Sequence, residues 1–331
     1  MDKSLDLVSI GDASIDVFIS PTESEMLCQL DDKQSLICFS FGDKIPVKSL
    51  EFSTGGNAAN NSVGVTRLGL KVAIVLTVGD DKIGGLITDK LKSEGVVMDY
   101  VSRQAGTGSN YSTVINYSGE RTIFVYHAPR TYEFPAYLPA APWAYLTSMG
   151  ESFGPFYGRV VDWLGQNPEV KLAFNPGSYQ IRASKEELEP VLAKTEVIFV
   201  NRQEAGKITG ADTSEGKEKE LLAALREVGP KIAIITDGGN GSFVYDGTKY
   251  IKARVLPVDA YERTGAGDAF GSGCLSAIIK NKPLDEALIW GTLNSASVIG
   301  YVGPQKGLLK ESDIEVWKER YVSSGVKVEE F

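Results

Sequence analysis

Apolar residues along the chain follow two rhythms that trade places. Residues 5–12, "LDLVSIGD", are a short apolar run stopped by a glycine turn, the pattern of a buried strand. "IDVFIS", "SLICFSF" and "VKSLEF" follow as partly alternating strands, separated by "PTESEMLCQLDDKQ" and "GDKIP". At "GGNAANNSVGVTRLG" the period changes: Ala58, Ala59, Val63, Val65 and Leu68 fit a helix opened by a glycine pair. "KVAIVLTVG" is a continuous apolar strand, and "DKIGGLITDKLKSEG" a helix closed by Gly95. This alternation predicts βαβ units and a mostly parallel sheet. Residues 109–126 break it, since two β-rich segments around "SGE" predict a hairpin. With the early strands they form a small second sheet outside the main core. After Pro142 the alternation resumes with strands at "WAYLTS", "VKLAFN", "EVIFVN" and "KIAIITDGG" and helices at "FYGRVVDWLGQ" and "KEKELLAALREVG". "SFVYDG" and "KYIKARVLPV" then lead into helical stretches over residues 269–280 and 284–302.

Composition narrows the choices. The chain has 331 residues, 43% of them hydrophobic, enough to bury a large core. A net charge of −9 with no local block of Lys or Arg gives no footprint for general nucleic-acid binding. It leaves a phosphate ligand open, because backbone amides can make a pocket locally positive. Cys28, Cys38 and Cys274 lack the spacing of a disulfide framework or a thiolate zinc site. The single histidine, His127, excludes H-E-x-x-H metal chemistry and reads as a structural residue near the end of a strand. No secretory signal pattern and no apolar run of the ~18 residues that span a bilayer is present, so a cytoplasmic protein without membrane partners is expected.

Three stretches carry candidate chemistry. Gly265-Ala266-Gly267-Asp268 puts small residues before an apolar helical pattern, where free N–H groups and the positive dipole end converge on an anion. An aspartate there also fits as a mere favourable N-terminal charge. Walker-type phosphate loops are excluded, since the pairs Gly206-Lys207 and Gly216-Lys217 are followed by Ile208 and Glu218. A dinucleotide fingerprint fails at Phe270, which occupies its third glycine position. Gly55 and Gly56 open a helix with Asn57 and Asn60 a turn apart, a set able to hydrogen-bond neutral hydroxyls. Asp16, after the first strand, suits two hydroxyl groups or a simple turn.

Taken in order, these motifs resemble those of the ribokinase-like (PfkB) carbohydrate kinases over nearly the whole length. They run from G-x-x-x-x-D (Gly11 to Asp16) through "GGNAANNSVGVTRLG", Gly79-Asp80-Asp81 with Gly84, and "NRQE" as N-x-x-E. "TDGGNGSFVYDG" and "ERTGAGDAFGSG" complete the set. The resemblance implies one kinase domain over residues 1–331: a three-layer α/β/α core with a mostly parallel sheet, and a small β lid from strands within about 14–53 and 109–127. It implies Asp268 as general base and the amides of Gly265, Ala266 and Gly267 as anion hole for the γ-phosphoryl of ATP. Asp16, Gly55, Gly56 and Asn60, with Asn57 beside them, correspond to sugar-hydroxyl contacts. Asn201 is expected near the triphosphate, and Glu204 is expected to order Mg2+ through water. Thr236, Gly238 and Gly241 resemble the turn under the nucleotide, and Asn294 a contact to adenosine. The resemblance also implies a possible homodimer through the lid, on which Arg121 serves for surface pairing or an anionic substrate group.

Departures matter as well. Glu262 stands where most members carry Asp, near the monovalent-cation (K+) site of some relatives, which puts K+ dependence in question. Asn57 replaces a usual Lys and Ser14 a usual Asn, both against ribose as acceptor. The expected acceptor is a ketose, sugar acid or related polyol. A nucleoside is the alternative, its base walled by Tyr111, Phe124 and Tyr126. A non-catalytic sugar sensor is disfavoured by the intact Asp268 motif, and a nicotinamide dehydrogenase by the missing N-terminal fingerprint.

Overall fold

A computed structural model describes residues 4–22, 27–31, 34–117 and 120–331. Its main sheet is built from β1 (Leu7–Ile10), β6 (Val72–Gly79), β7 (Val97–Gln104), β10 (Trp143–Thr147), β11 (Lys171–Asn175), β12 (Thr195–Asn201) and β13 (Ile232–Thr236), all parallel where paired. The hairpin of β14 (Ser242–Tyr245) and β15 (Tyr250–Ala253), followed by β16 (Val328–Glu330), extends one edge antiparallel. Strand order is β16-β15-β14-β13-β12-β11-β10-β1-β6-β7. The chain winds from β1 outward through β6 and β7, then returns and winds the other way from β10. The reversal between β1 and β10 opens a crevice at the carboxyl ends of the strands, where ligands bind in sheets of this kind.

These strands read as continuous apolar runs because both faces are covered. On one face Val8, Ile10, Leu146, Phe174 and Ile198 pack against α3 (Gly154–Gln166), α5 (Lys185–Leu192), α6 (Arg202–Thr209) and α7 (Glu218–Glu227). On the other, Leu7, Tyr145, Ala173 and Val197 meet α8 (Ala266–Ile279), α9 (Leu284–Val298) and α10 (Ile314–Ser323). The helix α1 (Asn57–Arg67) lies against α8 and β6, and α2 (Lys82–Ser93) covers Ile74, Leu76 and Val78 through Ile87 and Leu91. A short α4 (Ser178–Ile181) follows β11.

The second sheet has the order β5-β2-β8-β9, from β2 (Ser14–Pro21), β5 (Val47–Gly55), β8 (Asn110–Tyr117) and β9 (Glu120–Tyr126). β8 and β9 are antiparallel as the hairpin pattern predicts, and turn residues 118–119 lie outside the described residues. β3 (Leu27–Asp31) and β4 (Gln34–Ile37) form a further two-stranded piece.

Several boundaries differ from the pattern reading. β3 lies in a segment read as a connection, because its apolar residues are interrupted by Gln29 and Asp31. The strand expected over "SLICFSF" ends at Ile37, and the one over "KYIKARVLPV" at Ala253. α8 begins three positions before residue 269, because Gly267 and Asp268 separate Ala266 from the apolar pattern that follows. α9 stops at Val298 rather than at 302.

Candidate active site

A cleft of about 950 Å3 runs along the carboxyl ends of β1 and β10–β13, beneath the second sheet. Its volume suits two small ligands side by side. Of the residues singled out from sequence, Asp16, Gly56, Asn57, Asn60, Asn201, Glu204, Thr236, Gly238, Gly241, Gly265, Ala266, Gly267 and Asp268 all line it.

Gly265 precedes α8 with φ +80°, a left-handed conformation, and a Cβ there would sit 2.3 Å from Pro304 Cβ. Only glycine satisfies both constraints. The Ala266 N–H is directed at Arg263 O (3.3 Å), while the amides of Gly265, Gly267 and Asp268 make no hydrogen bond among the described residues. A Cβ on Gly267 would meet no atom within 4 Å, so a side chain there would protrude into the cleft mouth. A helix start with free donors and a bare backbone suits an anion.

Asp268 stands at the first turn of α8, walled by protein yet open to the cleft. Asn60 Nδ2 donates to its Oδ2 at 2.8 Å. Burial raises its pKa to about 6, with the charges of Asp16 and Glu204 pushing the same way and Asn60 opposing. Asp16 is 7% exposed, held by Ser14 Oγ at 2.9 Å. Burial also lifts its pKa, with Glu262 adding to the rise. Gly55 lies behind the carboxylate: a Cβ there would come within 2.0 Å of Asp16 Oδ2. Gly55 therefore makes room for Asp16 and does not itself line the cleft.

Sequence patterns missed a second acid. Asp12 follows β1 directly, and its Oδ2 accepts from Tyr132 Oη (2.7 Å) and Gly150 N (3.1 Å), while Oδ1 is buried and unpartnered. Burial raises it to about 6. The signal was the "GD" after the first strand. Asn110, Ser112 and Asn175 also line the acceptor end, and lone carboxamides and a serine gave no pattern to find. Asn57 Nδ2 lies 3.4 Å from Asn175 Oδ1, which also accepts from Tyr145 Oη at 3.2 Å.

Asn201 caps α6: its Oδ1 accepts from Glu204 N (2.9 Å), and Glu204 Oε2 accepts from Asn201 N (2.8 Å). The capping box leaves Glu204 Oε1 without a hydrogen bond, and burial raises the carboxyl's pKa. No cluster of three metal-ligating side chains occurs among the described residues. One outward carboxylate fits a magnesium ion held chiefly by phosphates and water, and does not make an all-protein cage.

Two expectations need correction. Asn294 does not face the cleft. It is fully buried, its Nδ2 donating to Ala269 O (2.8 Å) and Ser272 Oγ (3.2 Å), its Oδ1 accepting from Leu309 N (2.8 Å). With all its polar atoms committed it ties α9 to α8 and has none left for adenosine. Tyr111 and Phe124 also turn away. The register Asp16↔Ser112↔Val125 puts Ile123 and Val125 on the cleft side, and Tyr111 and Phe124 on the opposite face; Tyr126, at the strand end, does reach the cleft. His127 lines the cleft beside Tyr179 in an edge-on contact with ring centroids 5.3 Å apart.

Glu262 is 5% exposed. Its Oε1 accepts from Thr264 N (2.7 Å) and Thr264 Oγ1 (2.5 Å), and Arg121 Nε of β9 lies 4.0 Å away, so the protein supplies a positive charge of its own there. Glu262 Oε2 is buried and unpartnered.

A parallel sheet with a switch-point cleft, an anion-cradling helix start and a carboxylate beside it define a phosphoryl-transfer architecture. The family model described as pfkB family carbohydrate kinase matches residues 6–311, and the chain belongs to that family of phosphotransferases with an alcohol group as acceptor. The chain is 25% identical over 331 aligned residues to the ATP-dependent 6-phosphofructokinase of Thermoanaerobacterium thermosaccharolyticum, covering 97% of this chain and 95% of that one. It is 28% identical over 244 residues to the nucleoside kinase of Methanothermobacter thermautotrophicus, covering 72% and 75%. Arabidopsis thaliana ribokinase, solved with ribose and ATP, superposes with a TM-score of 0.77 at 20% identity, covering 95% of this chain and 99% of that one. The ribokinase-like three-layer fold is thereby shown. Among the described residues no helix is long and apolar enough to cross a membrane.

Proposed function

We propose that the protein transfers the γ-phosphoryl of ATP to a hydroxyl of a small carbohydrate, a ketose, sugar acid or related polyol. The observation that carries this reading is the placement of Asp268 at the first turn of α8, beside free amides and 2.8 Å from Asn60. The acceptor hydroxyl gives its proton to Asp268 as its oxygen forms a bond to the γ-phosphorus. The bond from that phosphorus to the β,γ-bridging oxygen breaks, and ADP leaves. Amides of the segment 265–268 stabilise the charge on the transferring group, consistent with a reaction dominated by positioning and electrostatics. Magnesium, when bound with the nucleotide, neutralises phosphate charge; Glu204 orders its water and Asn201 holds Glu204 in place. Thr236, Gly238 and Gly241 floor the nucleotide end of the cleft, while Asp16, Gly56, Asn57 and Asn60 grip hydroxyls with Asp12 alongside.

In this reading the second sheet is a lid within one kinase domain, and its closure excludes the water that would otherwise take the phosphoryl group. Leu50, Phe52 and Phe124, each more than half exposed on its outer face, support pairing of two lids in a homodimer. ATP as donor agrees with a cytoplasmic setting. Glu262 engages Thr264 and faces Arg121 through Oε1 while Oε2 has no partner, so K+ dependence is decided by assaying turnover with and without K+.

A nucleoside acceptor is the second reading, favoured by the apolar wall of Ile123, Val125, Met149 and Tyr179 at the acceptor end. Both are tested by ADP release in magnesium-ATP against ketoses, aldoses, sugar acids, sugar phosphates and nucleosides, with Asp268→Asn alongside. An acceptor-dependent signal abolished in the variant supports the mechanism and names the acceptor. Turnover that survives the substitution rejects Asp268 as base, and silence across the panel rejects these acceptor classes.

A further inference from the structure

Gln305 lies on the loop after α9, in a stretch no motif singled out, and is 2% exposed. Its Nε2 donates to Asn60 Oδ1 at 3.0 Å, and Asn60 Nδ2 donates to Asp268 Oδ2 at 2.8 Å. Two carboxamides therefore stand in series behind the proposed base. A carboxamide has a donor end and an acceptor end, and a half-turn about its last bond exchanges them. If Asn60 turned, its carbonyl would face Asp268, an arrangement that suits a protonated carboxyl and repels an ionised one. The bond between Asn60 and Asp268 does not by itself forbid this turn. The Gln305 donor opposes it, because a turned Asn60 would set one amino group against another unless Gln305 turned as well.

The backbone of Gln305 is fixed beside this contact. Among the described residues the bond to Asn60 is its one side-chain hydrogen bond, Oε1 being buried and unpartnered. Its backbone carbonyl accepts from Arg67 Nη1 at 2.7 Å, and Arg67 is itself fixed by two hydrogen bonds to Glu94, at 2.9 and 2.7 Å. The preceding residue, Pro304, is the one packed against Gly265. One loop thus braces the anion cradle and the base together.

We propose that Gln305 is a positioning residue for phosphoryl transfer, fixing Asn60 with its amino group toward Asp268 so that this carboxyl stays in the proton-accepting form. The proposal rests on the reading of Asp268 as the base. The other groups facing Asp268 act against Asn60: Asp16 from β2 and Glu204 from α6 both favour the protonated form, and Tyr145 from β10 is a neutral phenol. Loss of the Asn60 donor therefore moves the equilibrium in one direction only.

The test is a carboxyl titration by NMR of protein labelled with 13C-aspartate, the Asp268 signal being assigned by its absence in Asp268→Asn. Gln305→Met keeps the length of the side chain without its donor, and Gln305→Leu is the second variant. Both should move the Asp268 midpoint upward by about one pH unit, a tenfold change in the ratio of ionised to protonated form. The acid limb of kcat/KM should follow, with the KM for ATP unchanged. A folded variant with an unmoved midpoint overturns the proposal. In the unsubstituted protein the side-chain amide protons of Asn60 and Gln305 should titrate with the same midpoint as Asp268. A Gln305 amide indifferent to that titration overturns it even if neither variant folds. The NMR midpoint needs no acceptor, so a moved midpoint in a protein silent with every acceptor keeps the hold of Gln305 on Asp268 through Asn60 and removes its part in phosphoryl transfer, whereas an unmoved midpoint in an active kinase removes the hold alone.

Discussion

Asp268 is a compromise between chemistry and stability. In the kinase reading it must be ionised to accept a proton, and its pKa of about 6 places the acid limb of kcat/KM near that value, with activity falling tenfold per pH unit below it. Asp268→Asn should lower kcat by about 10^3, within the range for removal of a general base. The same substitution should strengthen the fold at neutral pH. The carboxyl's pKa in the folded chain lies above its ordinary value of 3.8, so the charged form is disfavoured by folding. The stability tied to this group is complete below pH 3.8 and is lost as pH rises through about 6. The two-unit rise corresponds to at most about 3 kcal/mol. Thermal unfolding should therefore show Asp268→Asn more stable than the parent at pH 8, with the gap narrowing at pH 5. A gap independent of pH would contradict the raised pKa.

At the level of the element, the start of α8 separates two kinds of glycine. Gly267→Ala meets open space, removes a glycine from a helix and should gain ~0.5–1 kcal/mol. It should at the same time weaken ADP binding at least tenfold in calorimetric titration, because the new methyl occupies the cradle. Gly265→Val should behave oppositely, losing stability through its left-handed backbone and the collision with Pro304, which a lowered midpoint in urea would register. The glycine-opened start of α8 was legible in sequence because small residues stand directly before an apolar period, whereas its use as an anion hole came from the resemblance. Equally legible were β1, β6 and β10–β13, whose two-sided burial writes unbroken apolar runs. Other parts left no such mark. α5 carries Pro190 in its second turn, and α10 sets Val316 and Val322 on its exposed side against Ile314, Trp317 and Tyr321 on its buried one, so neither shows a clean period. Asn175 and Gln305 are single carboxamides in otherwise ordinary segments. Gln305 acquires its place only through a partner 245 positions away, and no local pattern encodes such a meeting. Asn294 shows the reverse error, a polar residue on a late helix that looks available and is spent inside the core.

For the whole molecule, the second sheet presents two different faces. The inner one carries Asp16, Ser112 and Val125 over the cleft, and the outer one leaves Phe52 67% and Phe124 60% exposed. An apolar surface of that kind on a small sheet marks an interaction site. Phe52→Asp with Phe124→Ser should convert a dimer to monomers in sedimentation velocity while the far-UV spectrum stays unchanged. A parent protein already monomeric at high concentration would reject the paired lids. The order in which the site's parts occur along the chain has its own consequence. Asp16 and Asn60, the proposed grip for the acceptor, are made early, whereas the proposed cradle and base and Gln305 all come late. In the kinase reading, a chain still emerging from the ribosome therefore carries the residues that grip the acceptor long before those that act on ATP. In that reading a chain interrupted anywhere before Gly265 lacks both base and cradle and would not turn over ATP.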